Sequence, residues 1–183
     1  MHYRLAVLLV SAAALGFEIA LLRVFSIGQW HHFAYMVISI ALLGFGASGS
    51  LLTVARGWQV KRFASAFAAF ATVFALSLPA CFLLAQRIPF DPFLIVWDSR
   101  QYFYLGGYYI VLCFPFFCAA SALGLALVYW AREAPRVYFY NLVGSGLGSL
   151  ALVVSLYWVS AEQTITLIYV LAATAAILAL PPV

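Results

Sequence analysis

The residues of this chain that could do chemistry are few, and most of them lie inside apolar stretches. Glu18 and Arg23 both fall in the run from Leu5 to Ile27, which ends near Gly28. At about 1.5 Å per helical residue, Glu18 lies roughly 4 Å beyond the middle of such a helix and Arg23 about 11 Å beyond it, near the far boundary. Arg23 can therefore snorkel to water, whereas Glu18 cannot. Their spacing places them about 140° apart around the helix, so they are not a facing i,i+4 pair and Glu18 needs a partner on another element. Such a carboxyl either fixes helix packing, protonated or hydrogen-bonded, or belongs to a proton or cation relay. A single acid makes no pathway, so a packing role is expected.

Other reactive residue types read in the same direction. His31 and His32 follow Gly28-Gln29-Trp30 in a turn that must lie at the membrane surface, with Trp30 as an interfacial anchor. A histidine pair is a candidate for ligating haem, a chlorin or a metal, but at an interface beside Arg23 hydrogen-bonded surface residues are the expectation, and no cofactor is predicted. Cys81, Cys113 and Cys118 all lie in apolar runs without metal-site spacing, and read as small core residues. Gly44-Phe45-Gly46-Ala47-Ser48-Gly49 spells the G-x-G-x-x-G of dinucleotide-binding proteins. That motif works only between a strand and a solvent-facing helix; inside a membrane helix its small residues instead allow close backbone approach.

Composition states why these residues must be read against lipid. The chain is 67% hydrophobic and only 8% charged, which excludes a soluble globular domain and predicts an integral membrane protein forming a single transmembrane domain over residues 1–183. The net charge of +4 must sit in loops and helix ends, where it reports topology rather than nucleic-acid binding. Arg4 followed by an apolar run and Ser11-Ala12-Ala13-Ala14 resembles a signal peptide, but the run continues too far, so a retained span is expected.

Six spans account for the apolar runs, at about 5–27, 33–55, 63–85, 102–129, 139–159 and 161–180, giving an all-α polytopic bundle. The short turn near Gly28 makes the first two antiparallel neighbours, and equal distances from it place Ser39 near the depth of Glu18, as its candidate partner. Pro79 bends the third span, and Pro115 near the middle of the long fourth span implies tilt and a kink. The segment from Arg87 to Gln101 mixes prolines, aromatics and Asp91 and Asp98, so it should lie at the interface without crossing. The fifth span carries a small, polar face of Asn141, Gly144, Ser145, Gly148 and Ser155. Ser160-x-x-Gln163 is a capping box that opens the sixth, and Pro181 and Pro182 stop it. Arg4, Arg56, Lys61, Arg62, Arg132 and Arg136 fall on one side of this arrangement, so the positive-inside rule puts both termini in the cytoplasm. The clusters Gly44, Gly46, Gly49 and Gly144, Gly146, Gly148 then share one depth, which predicts that they either meet each other, by direct packing of the second span on the fifth, or each receive a bulky neighbour, and counts mildly against an inverted repeat of three plus three spans.

Several of these stretches together carry a resemblance over nearly the whole chain. Gly16-Phe17-Glu18 through Arg23-Val24-Phe25-Ser26, Leu42-Leu43-Gly44-Phe45-Gly46, Ile88-Pro89-Phe90-Asp91-Pro92, Phe114-Pro115-Phe116-Phe117 and Tyr140 to Gly148 resemble the membrane region of bacterial spermidine synthase-like membrane proteins. The resemblance implies a bacterial inner-membrane bundle, loosely similar to half of a major-facilitator carrier, that precedes a cytoplasmic aminopropyltransferase-like domain. The glycine-rich nucleotide loop and catalytic acids of that domain have no counterpart in these residues, and the carrier signature is incomplete, since Arg56 to Arg62 lacks its acid. The expected function is accordingly non-catalytic: a membrane domain packing against other membrane subunits or serving a soluble catalytic domain. The alternatives are an accessory subunit of a larger complex that contacts protein, lipid or pigment, and a small carrier built around Glu18.

Overall fold

The computed structural model of the chain describes residues 2–28, 31–91, 94–95 and 97–180. They form six α-helices: α1 (His2–Gly28), α2 (His31–Lys61), α3 (Phe63–Arg87), α4 (Arg100–Tyr129), α5 (Ala134–Ser155) and α6 (Ala161–Ala179), with a 3₁₀ turn at Ala131–Glu133 before α5. No strand occurs among the described residues. Five described stretches are long and apolar enough to cross a membrane, and α6 adds the shorter apolar run Gln163–Ala179. Helices are the natural outcome for such runs, because in hydrocarbon each peptide group must be satisfied within its own segment.

Most boundaries fall near their expected positions, and two differ for local reasons. The basic segment after the second apolar run is not a loop: α2 continues to Lys61, and Arg62 alone, at φ −115° and ψ 37°, breaks the chain before α3. Only Gly57 in that segment opposes helix, and long cationic side chains at a helix end reach water without unwinding it. The other difference is at α5, which starts early, at Ala134, and ends at Ser155 before a turn over 156–158. Pro135 falls in its first turn, where a missing N–H costs nothing. The capping box is formed as expected: Gln163 N donates to Ser160 Oγ and Ser160 N to Gln163 Oε1, both at 3.3 Å. α3 and α4 run uninterrupted through Pro79 and Pro115. The connection from Arg87 to Arg100 folds back, with Asp91 N donating to Gln101 Oε1 at 3.0 Å, and leaves Trp97 largely exposed.

α1 and α4 form the centre of the bundle. They run antiparallel, since Tyr3 at the start of α1 meets Trp130 just past the end of α4, while Phe25 near the end of α1 meets Tyr108 near the start of α4. They cross where Phe17 and Phe116, both fully buried, bring their rings to 5.5 Å. α1 packs most extensively on α5 and α6, α4 on α2 and α3, and α3 meets α6. Exchanging α1 with α4, α2 with α5 and α3 with α6 returns the same set of principal contacts. With α1 and α4 antiparallel, this is a contact pattern that two inverted halves would give. The symmetry is carried by which helices touch, and residue types at matched positions need not follow it.

A correction follows from the same packing. α2 and α5 share no substantial interface, so their glycine clusters do not meet. Instead, Gly44 of α2 presses onto α4, and Gly144 and Gly148 of α5 press onto α1, in each case the central helix of the opposite half.

Candidate functional site

Two pairs of polar side chains join the outer helices α2 and α5 to the two central helices. Ser11 of α1, 2% exposed, brings its hydroxyl to 2.7 Å from Asn141 Oδ1 of α5 and 2.8 Å from the Val7 carbonyl. Across the bundle, Ser121 of α4 and Ser48 of α2, both buried, have hydroxyls 3.1 Å apart, and Ser121 also donates to the Phe117 carbonyl. Each pair therefore stitches a central helix to its main partner by hydrogen bonds that a dry interior favours. Between the two pairs lies a cavity of about 250 Å³ lined by Val7, Phe45, Ser48, Gly49, Val137 and Asn141, among others. That is smaller than the sites that enclose drug-sized ligands, and its walls are mainly apolar.

Glu18 lies seven residues beyond Ser11, two helical turns along the same face of α1. It is half-buried and makes no hydrogen bond or ion pair among the described residues. Ser39 is not its partner: that residue is exposed, with its hydroxyl turned back toward the Tyr35 carbonyl at 3.4 Å. Matching depth on neighbouring helices did not suffice, because Ser39 falls on the outer face of α2. Arg23 is exposed and borders a small cavity with Val153, Leu156 and Tyr157.

The glycines divide into two groups. A side-chain carbon at Gly44 would stand 2.8–2.9 Å from Phe116 Cβ, the Cys113 carbonyl and Phe117 N, so α2 closes directly onto α4 around buried Pro115. At Gly144 it would collide with the backbone of Leu8, and at Gly148 it would stand 2.5–2.8 Å from Ala12. Gly46, Gly49 and Gly146 have nothing within 4 Å of that position. Half of the two clusters is thus close-packed inside the bundle and half faces outward.

Cys81 and Cys118 are buried and Cys113 half-buried, all as free thiols. The side chains of His31 and His32, like Trp30 of the turn and the prolines at 181 and 182, lie outside the described residues. Among the described residues no three His, Cys, Asp or Glu side chains gather to hold a metal ion. Sequence reasoning passed over Ser11, Ser48 and Ser121. Their signal was spacing: Ser11 precedes Glu18 by two turns, and Ser48 follows Gly44 by one, on the face that meets α4. It also missed the ion pairs of Glu133, which accepts from Arg4 of α1 and lies 3.5 Å from Arg136.

In comparison with known proteins, no family model, no curated protein and no solved structure matches the chain.

Proposed function

We propose that this chain is a non-catalytic, six-span membrane domain that acts by packing α2 and α5 against another membrane-embedded unit. The observation that supports it is the outward half of the glycine clusters. Gly46 and Gly49 on α2 and Gly146 on α5 expose backbone where a lipid-facing helix would be covered by side chains. In lipid, close backbone approach is what drives helices together, so uncovered glycines are surfaces for a further helix. The cavity lined by Gly49 suits one bulky side chain from such a partner better than a substrate. The sequence resemblance to the membrane region of spermidine synthase-like proteins agrees with this role, the partner then being another membrane subunit. On this reading the chain resides in a bacterial inner membrane, with the basic end of the bundle and both termini in the cytoplasm.

Photo-crosslinking in native membranes tests the reading. A photoreactive residue at position 146 or 49 should capture a protein partner, while one at the exposed Ile177 of α6 should capture only lipid. Lipid adducts alone from all three positions would overturn it. A second reading, a small carrier, is favoured by the inverted contact pattern and by Glu18 on the same helix face as Ser11. It predicts transport in liposomes that is lost in Glu18→Gln.

A further inference from the structure

The end of the bundle where α1 begins carries most of the excess charge. Arg4, Arg56, Lys61, Arg62, Arg132 and Arg136 belong to it, against the single acid Glu133, which is engaged by Arg4 and Arg136. At this end Lys61 and Arg62, both exposed, border a cavity of about 560 Å³ at the turn between α2 and α3. Tyr3, Phe63, Tyr129 and Trp130 line the same cavity. Phe63 stacks on Tyr129 with ring centres 4.0 Å apart, Trp130 stands edge-on to Phe63 at 4.8 Å, and Tyr3 closes the cluster at 5.5 Å.

Two cations and four packed rings lining one cavity define a ligand with two parts. The cations call for an anion, and aromatic rings at a membrane boundary favour a group that is polar at one end and apolar at the other. A free inorganic anion has no use for the aromatic wall, whereas a phospholipid matches both sides. α2 and α3, although consecutive, barely pack on each other, which leaves room for chains between them. The start of α3, which has no side-chain cap, adds backbone donors at the same place.

We propose that this cavity binds the phosphate headgroup of an anionic phospholipid, held by Lys61 and Arg62 against the Tyr3, Phe63, Tyr129 and Trp130 wall, with its acyl chains between α2 and α3. Cations near an anionic headgroup contribute about 5-fold each in affinity, so losing both weakens binding about 30-fold.

Native mass spectrometry of the purified chain in detergent measures this directly. Phosphatidylglycerol should be retained more tightly than phosphatidylcholine of the same chain length, and excess inorganic phosphate should not displace it. Combining Lys61→Gln with Arg62→Gln should weaken phosphatidylglycerol binding about 30-fold while Arg136→Gln, on the same end but outside the cavity, leaves it near the native value. Should the double variant melt early, Lys61→Gln alone carries the test, with about a 5-fold loss expected. Equal retention of the two lipids, or an equal loss in Arg136→Gln, would overturn the site in favour of diffuse surface charge. Displacement by inorganic phosphate would overturn the lipid and assign a soluble phosphate.

Discussion

At the scale of single residues, the bundle separates glycines that are alike in sequence. Gly146 and Gly148 are two residues apart on α5, yet a methyl group at Gly148 would stand 2.5 Å from the Ala12 Cα and one at Gly146 would meet nothing. Backbone cannot rotate away as a side chain tip can. Gly148→Ala should therefore cost about 1–3 kcal/mol of stability in detergent, and Gly146→Ala should change it by less than about 0.5 kcal/mol, both read by denaturant titration. Glu18 makes the opposite case. It has no partner among the described residues, so replacing it removes a desolvated polar group without orphaning another. Glu18→Leu is expected to leave stability unchanged or raise it by up to about 2.5 kcal/mol. A fall in melting temperature would mean that the carboxyl is engaged in the purified protein.

Between elements, the two outer helices are held in different ways at different points along their length. α2 meets α4 at Gly44, where the obstacle to a side chain is α4 backbone, and again at Gly124, where a side-chain carbon would touch chiefly the tip of Leu52. Leu52 can change rotamer at small cost, but α4 backbone can yield only by moving the helix. Gly44→Ala should accordingly destabilise the protein by at least about 1 kcal/mol more than Gly124→Ala, measured by thermal melting of the purified variants. The ion pairs joining Arg4 to Glu133 and Glu133 to Arg136 tie α1 to the start of α5, but their side chains are 38% to 71% exposed. Exposed pairs of this kind contribute about 1 kcal/mol or less and weaken with salt, so close packing, and not charge, holds α5 in place.

Over the whole molecule, the halves are interlocked, since α1 rests on α5 and α6 while α4 rests on α2 and α3. Neither half then buries its apolar faces alone. Residues 1–92 and 93–183 expressed separately should fail to give a stable folded species, and the two fragments expressed together should copurify as a pair. Independent folding of either fragment, judged by a cooperative melting transition, would contradict the interlock.

Much of this was already determined by the order of residues. Apolar runs of the length a bilayer demands predict helices at nearly the observed positions, because satisfying peptide groups inside hydrocarbon is a local requirement. The capping box at Ser160 and Gln163 is likewise a contact between near neighbours in the chain. Arg4, Lys61, Arg62, Arg132 and Arg136 flank apolar runs, and alternating helices carry them to one end. What only the tertiary structure decided is which face of each helix meets which neighbour. Ser39 and Glu18 share a depth and Gly44 and Gly144 share a type, but depth and type do not fix rotation about a helix axis. That rotation follows from how α1 and α4 cross at Phe17 and Phe116, residues far apart in the chain whose meeting no local pattern specifies. The inverted contact pattern, the pairing of Ser11 with Asn141 and Ser48 with Ser121, and the division of glycines into packed and open groups all depend on that crossing.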